Sequence, residues 1–322
     1  VSKSTVSRAL ADSPLVNQAT KDLVRKIARE QNYRLNVAAR NFRLKESLTI
    51  GVILPSAEDD GADWRLSDPF FLEMLGALAD AADQRGHQLL VPRSTPQEHE
   101  WIQSYAGKGT TDGLILIGQG SQHEAINELA KNYPALAVWG AQIDEAQRYS
   151  IVGTDNAKGG FRAADYLLKQ GRRHIAFFGH RNLPEIEQRY QGYLAAHKEH
   201  GVDANPDLMI NEDRLEISAE ESLRTCLGSG GVMDAIFASN DIQAMAAIRA
   251  LKKMGLSVPD DIAVIGYDDI NLAKDYNPSL TTIRQDRVQA GELLVDIVLE
   301  RYEGRSTHST ILDPELMIRE SA

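Results

Sequence analysis

From residue 48 onward the chain alternates short apolar runs with longer stretches of helical period, and that alternation admits few folds. The apolar runs lie at 49–54, 88–91, 113–117, 135–138, 174–178, 235–238 and 262–265. They are short and nearly continuous in hydrophobicity, which suits strands of a sheet covered on both faces. Helical periodicity predicts helices over 69–85, 156–169, 186–200 and 242–254. Gly86, Gly171, Gly201 and Gly255 stand where those helices must stop, and glycine alone enters the left-handed closing conformation without strain. Strands alternating with helices make parallel α/β sheets. The body is too long for one small sheet at about 150 residues per domain, so two similar α/β subdomains are expected.

The formal net charge of −11 hides an asymmetry. Residues 1–47 carry ten Lys/Arg and four acids, a balance of +6, whereas the remainder carries −17. An acidic body repels nucleic acid, and a short basic head attached to it is the footprint of a nucleic-acid module. One cysteine, Cys226, excludes an intramolecular disulfide and a multi-cysteine zinc site. No apolar run approaches the ~18 residues of a membrane span, and the N-terminal VSKSTVSRAL has no signal-peptide core. A cytoplasmic protein without membrane contact is expected.

In the head, residues 4–10 read as a short helix with Ser4 as its cap and Val6 and Leu10 on one face. Asp12-Ser13-Pro14 breaks it. Asn17 or Thr20 then opens a longer helix to about Gln31, with Leu23, Val24, Ile27 and Ala28 as its apolar positions. Two packed helices with polar side chains on the first suit a helix-turn-helix reading the major groove. Arg8 matches the O6/N7 acceptors of guanine, and Lys3, Ser4 and Thr5 lie within reach of bases or phosphates. A basic helical pair that only solvates a surface fits the same pattern.

Enzyme motifs are weak. Gly118-Gln119-Gly120 follows a strand, but His123 occupies the third glycine position of a dinucleotide loop. Gly107-Lys108-Gly109-Thr110 lacks the remaining features of a phosphate loop, and no G-x-S-x-G elbow or H-x-x-x-H pair occurs. No catalytic residue, metal site or cofactor is predicted. Ligands of open α/β sheets sit beyond the carboxyl ends of strands. There the sequence places Asp68-Pro69-Phe70-Phe71, Trp139-Gly140, Asn240-Asp241 and Asp268-Asp269. Planar polar groups for hydroxyls and an aromatic face for C–H surface are what a sugar requires.

These motifs together resemble the LacI/GalR family of bacterial repressors along the whole chain. VSKSTVSRAL is similar to the second half of that family's helix-turn-helix, Asn32-Tyr33-Arg34-Leu35-Asn36 to its NY-x-PN, and residues 37–43 to its hinge helix. SDPFF, GTDN at 153–156, R-x-x-GY at 189–193, SND-x-x-A at 239–244, GYDD at 266–269 and PSLTTIRQD at 278–286 resemble family motifs of the body. The resemblance implies an α/β, periplasmic-binding-protein-like, two-lobed parallel-sheet core with an N-terminal helix-turn-helix and hinge helix. The family's first helix has no counterpart in the sequence given. Residues 1–47 would form the helix-turn-helix remainder and hinge. Residues 48–322 would form the effector-binding and dimerisation domain. Lobe 1 would take about 48–153 and 285–308, and lobe 2 about 154–280 and 309–322, with three crossovers between them.

By the same resemblance Lys3, Ser4, Thr5, Ser7, Arg8, Asn17, Tyr33, Asn36 and Phe42 would contact DNA. Leu35 replaces the family's usual proline. Phe42 replaces a leucine that wedges into the minor groove, a task open to phenylalanine, although it could instead pack on the partner's hinge. Asp68, Phe70, Trp139, Arg189, Asn240, Asp241 and Asp268 would surround the effector. Trp139 stands where many relatives carry aspartate, and either lines the pocket or packs in the core. Asp155 reads first as a helix cap, and Asp269 as a structural residue at a strand end. The implied function is a homodimeric regulator on palindromic operator DNA, repressing sugar-utilisation genes until a saccharide binds. A corepressor of opposite sign, a transporter's solute-binding protein and a sugar-modifying enzyme are the alternatives. No leucine-heptad tail follows the last strand motif, which disfavours a tetramer.

Overall fold

A computed structural model describes residues 1–10, 12–31, 33, 47–54, 68–91, 111–120, 122–144, 146–210, 217–228 and 232–322. By internal contacts the chain separates into two units, Val1–Ser47 and Leu48–Ala322.

In the first unit, helix α1 (Lys3–Leu10) is followed by α2 (Gln18–Glu30). Ser2, not Ser4, caps α1: its hydroxyl accepts the Thr5 N–H at 3.1 Å, and Ser4 Oγ lies 2.7 Å from Ser2 Oγ. Asn17 caps α2 by accepting the Thr20 N–H at 2.9 Å. Ala9, Val16 and Val24 form a small core, with Val6 and Leu10 packed against it. The expected apolar face of α2 is only partly covered. Val24 is buried, but Leu23 and Ile27 are 52% and 48% exposed, because the eight-residue α1 reaches only the Val24 side. Lys21 and Arg25 are drawn to Asp12, at 3.1 and 2.6 Å, and pin the turn between the helices.

The second unit holds two six-stranded sheets. Its first elements are β1 (Thr49–Ile53), α3 (Pro69–Gln84), β2 (Gln88–Leu90), β3 (Gly113–Ile117), α4 (His123–Asn132), β4 (Leu136–Trp139) and β5 (Ser150–Thr154). The second sheet follows with α5 (Asn156–Lys169), β6 (Ile175–Phe178), α6 (Pro184–Glu199), β7 (Met209–Ile210) and α7 (Ile217–Gly228). It continues with β8 (Ala235–Ala238), α8 (Asp241–Lys253), β9 (Ala263–Asp268) and β10 (Thr281–Arg284). The chain ends with α9 (Arg287–Tyr302), β11 (Thr310–Leu312) and β12 (Glu315–Met317).

Strand order is β11-β5-β4-β3-β1-β2 in the first sheet and β12-β10-β9-β8-β6-β7 in the second. Every pairing is parallel except β10 with β12. The chain thus passes between the sheets three times, after β5, β10 and β11. The assignment of 309–322 to lobe 2 is corrected by β11, which pairs with β5 in lobe 1, Thr310 opposite Val152; only β12 returns to lobe 2.

Each lobe buries helices against both faces of its sheet, as the continuous apolar strands require. In lobe 1, α3 and α9 cover one face through Met74, Leu78, Leu294 and Val298, and Ile126 of α4 lies on the other. In lobe 2, α8 packs on one face through Ala247 and Leu251, and α5 and α6 on the other through Ala164, Leu167 and Tyr193. Gly86, Gly171, Gly201 and Gly255 close their helices with φ between 63° and 89°.

Candidate functional site

The carboxyl ends of the strands of both lobes converge on one cleft of about 660 Å³, its open mouth included. Trp139 ends β4, Thr154 ends β5 and Asp268 ends β9, while Asn240 follows β8 by two residues. Asp68 and Phe70 enter from the start of α3, and Arg189 from α6. The cleft therefore gathers Asp68, Phe70, Trp139, Arg189, Asn240 and Asp268. It also gathers residues that sequence reasoning did not single out, among them Thr154, Asn156, Glu185, Ile186 and Gln285.

Asp241 is the exception. The structure withdraws it from the cleft: it is fully buried, its carboxylate taking the Thr282 hydroxyl at 2.5 Å and the Ile270 N–H at 2.9 Å. As the first residue of α8 it points into the lobe, whereas the preceding Asn240 faces the cleft and caps the helix on the Gln243 N–H at 2.8 Å. Burial holds the Asp241 carboxyl well above the usual carboxylate range, reinforced by the charge of Asp268.

One wall is aromatic. The rings of Phe70 and Trp139 lie 6.2 Å apart at 41°, and Phe71 meets Phe70 edge-on at 5.6 Å. Trp139 is both things its sequence position allowed, a member of the lobe-1 core and a lining residue of the cleft.

The opposite wall is built around Arg189, which is only 6% exposed. Its Nε donates to Asn156 Oδ1 at 2.9 Å, and a terminal nitrogen donates to the Ser239 carbonyl at 2.5 Å. Its guanidinium carbon sits 3.7 Å from the centre of the Tyr267 ring. Burying the cation is tolerable because charge-assisted bonds and a π face replace its water. Glycines place it there. A Cβ on Gly160 of α5 would stand 2.0 Å from the Arg189 carbonyl oxygen, and one on Gly192 of α6 would stand 1.9 Å from that of Ala157. The two helices meet backbone to backbone at the level of Arg189.

Asp268 and Asp269 adopt positive φ, 118° and 53°. Such conformations cost a non-glycine residue about 1–3 kcal/mol and persist only where the surroundings over-determine them. Here they turn the chain at the end of β9 so that Asp268 faces the cleft, its Oδ1 accepting Gln285 Nε2 at 2.6 Å. Burial pushes the Asp268 carboxyl up to about 7; Arg189 opposes that shift and Asp68 adds to it. The Asp68 carboxyl, which caps α3 on the Phe70 N–H at 2.9 Å, is also raised by burial. Asp269 is structural, as its position suggested, held by Arg284 at 2.8 Å and Arg319 at 2.5 Å. Asp155 caps α5 on the Lys158 N–H at 3.0 Å.

Thr154 is 3% exposed, and its hydroxyl has no hydrogen-bond partner among the described residues. A buried hydroxyl without a partner costs about 1–3 kcal/mol, so a ligand or water that pairs with it is favoured. An aromatic wall facing amide, guanidinium, hydroxyl and carboxyl groups can hold and orient a small polar ring with an apolar face. Among the described residues, no cluster of three His, Cys, Asp or Glu side chains is arranged to hold a metal ion.

In the head, Lys3, Ser4 and Arg8 are exposed on α1, and Thr5 and Ser7 are half-buried beside them. Asn17 is exposed with its Oδ1 engaged in the cap, and Tyr33 is exposed. Asn36, Phe42 and the expected hinge helix at 37–43 lie outside the described residues.

A helical unit that exposes Lys3, Ser4 and Arg8 on its first helix and a two-lobed body with a cleft at its strand ends are also what the comparisons find. Residues 1–36 match the model of the bacterial regulatory proteins of the lacI family, and residues 164–322 that of a periplasmic binding protein-like domain. The chain is 31% identical to the HTH-type transcriptional repressor CytR of Escherichia coli (strain K12), over all of this chain and 93% of that protein. It is 28% identical to the HTH-type transcriptional repressor PurR of Pasteurella multocida (strain Pm70), over 100% of this chain and 95% of the relative. Among solved structures, a transcriptional regulator CelR–cellobiose complex superposes with a TM-score of 0.74 at 27% identity, covering 100% and 96% of the two chains. The lac repressor dimer bound to operator and the anti-inducer ONPF shares the fold, with a TM-score of 0.85 at 24% identity, covering 100% of this chain and 95% of that one. Fold and sequence define a helix-turn-helix transcriptional regulator with a periplasmic-binding-protein-like body. The chain belongs to the LacI family of bacterial regulatory proteins. Among the described residues, no helix is long and apolar enough to cross a membrane.

Proposed function

We propose that the protein is a homodimeric repressor of sugar-utilisation genes, released from a palindromic operator when a saccharide fills the cleft between its lobes. The observation that carries the reading is the pairing of the Phe70–Trp139 wall with Arg189, Asn240 and Asp268 across one cleft. A saccharide ring has the same two-sided character, with C–H faces that stack on aromatics and hydroxyl edges that bond to planar polar groups. The likeness to a regulator solved with cellobiose supports it.

Lys3, Ser4, Thr5, Ser7 and Arg8 would meet the major groove, with Arg8 on a guanine edge. Asn17 and Tyr33 would add backbone contacts. Asn36 and Phe42 would act at the hinge, Phe42 as a minor-groove wedge. Phosphate contacts from the +6 head make binding salt-dependent. Release follows if the saccharide binds the operator-free arrangement of the lobes more tightly than the operator-bound one.

The test is thermal unfolding against mono- and disaccharides including cellobiose and ribose, with sugar phosphates and purines alongside. A ligand at 100 times its Kd adds about 2.7 kcal/mol to the folded state. Stabilisation by a saccharide, lost in Arg189→Ala, supports the reading. Stabilisation by a purine alone replaces it with a corepressor model.

A further inference from the structure

The main chain of the cleft residue Asp268 is held by groups that do not line the cleft. Arg287 is the first residue of α9, a helix whose Ala290, Leu294 and Val298 belong to the core of lobe 1. Its guanidinium reaches across to lobe 2. One terminal nitrogen donates to the Asp268 carbonyl, and the other donates to the Asp269 carbonyl at 2.8 Å. The second nitrogen also lies 2.9 Å from Oε2 of Glu73, on α3 of the same lobe 1. Glu73 uses its other oxygen to accept the Asn271 N–H of lobe 2 at 2.8 Å. The pair thus offers a cation to two carbonyls and an anion to an N–H, matching the polarity of the turn at 268–271. That turn contains the two positive-φ residues, Asp268 and Asp269.

We propose that Glu73 and Arg287 are positioning residues that clamp the Asp268–Asn271 turn of lobe 2 onto lobe 1. The clamp fixes how Asp268 is presented to the cleft and ties that presentation to the separation of the lobes. The inference rests on the reading of Asp268 as an effector contact for its functional meaning; the clamp itself stands on the geometry alone. A lobe movement that breaks the clamp frees a strained turn, so the cleft carboxyl and the lobe angle change together. Gln188 Nε2 also bridges the lobes, to the Gln142 carbonyl at 2.9 Å, but that bond is exposed to solvent and does not touch the turn.

Amide hydrogen exchange on the intact chain tests this without ligand or operator, so failure of the clamp and failure of the saccharide reading are separately visible. Glu73→Ala and Arg287→Gln should each speed exchange at Asn271 about tenfold or more, with β6 and β8 unchanged. Gln188→Ala should leave Asn271 unchanged. Spin labels on exposed Asn132 of lobe 1 and Lys198 of lobe 2, in protein diluted with unlabelled chains, should show a changed interlobe distance in the two clamp variants. The decisive variant is the charge-swapped double, Glu73→Arg with Arg287→Glu. It restores an ion pair within lobe 1 but presents the wrong polarity to the turn, so it should not restore slow exchange. Wild-type exchange and interlobe distance in the swapped protein, or no change in the single variants, would overturn the clamp and leave an ordinary salt bridge.

Discussion

Replacing Gly160 by alanine asks whether the α5–α6 contact that seats Arg189 is as tight as its geometry implies. The new methyl carbon would stand 2.0 Å from the Arg189 carbonyl oxygen, 2.7 Å from its carbonyl carbon and 2.9 Å from its Cα. All three are main-chain atoms of a packed helix, so no side chain can swing aside. Overpacking of this kind costs about 1–3 kcal/mol. Alanine returns up to about 1 kcal/mol through helix propensity. The expected net loss is about 0–3 kcal/mol, which lowers the Tm of a body of this size by up to roughly 12 °C and does not raise it. Gly76 of α3 is the control, because a Cβ there meets nothing within 4 Å. Gly76→Ala should gain about 0.5–1 kcal/mol. Calorimetry of both variants, read on the transition of residues 48–322, makes the comparison. A Tm for Gly160→Ala that rises as far as that of Gly76→Ala would refute the reasoning. It would mean that the helices separate freely and that Arg189 is not held by their contact.

Three further outcomes follow from the site. Folding raises the Asp268 carboxyl from 3.8 to about 7, so the folded chain keeps a proton that the unfolded chain releases between those values. This group's contribution to stability therefore falls as pH rises from about 4 to about 7 and levels off above, and Asp268→Asn should gain on the wild type across that interval in denaturant titrations. Thr154→Val, which keeps shape and removes the unpartnered hydroxyl, should leave the Tm unchanged or raised but weaken the effector by about tenfold in calorimetric titration; unchanged affinity would take Thr154 out of the ligand's reach. Arg8→Ala should cost about 1–3 kcal/mol of operator affinity and relax the preference at one base pair, measured by anisotropy at fixed salt; an undiminished preference would move Arg8 from base to phosphate.

How far the sequence carried depended on how locally each feature is encoded. Seven strands were legible because their apolar runs are nearly continuous, but β5 was not. It reads Ser-Ile-Val-Gly-Thr, and its glycine is required by the fold: a Cβ on Gly153 would stand 1.9 Å from the Gly140 carbonyl oxygen. The edge strand β12 and the strand β10 beside it are interrupted by Glu, Thr and Arg, which obscures them. Most of the cleft was visible as polar and aromatic residues after strands. Asn240 and Asp241 could not be separated in that way, since one faces the cleft and its neighbour the core only once α8 is built. Thr154 and Gln285 lay inside motifs already noticed, and the signal missed was that their side chains end strands or crossovers. Nothing local marks Glu73 or Arg287, which meet across more than two hundred residues.

The account turns on the claim that filling the cleft and holding the operator are one linked equilibrium. The direct measurement is reciprocal: operator affinity with and without saturating saccharide, and saccharide affinity with and without saturating operator, at one salt concentration. The account predicts that each ligand weakens the other by the same factor, of about 5–150-fold for a coupling of typical strength. Operator affinity unmoved by a saccharide that demonstrably fills the cleft would contradict it.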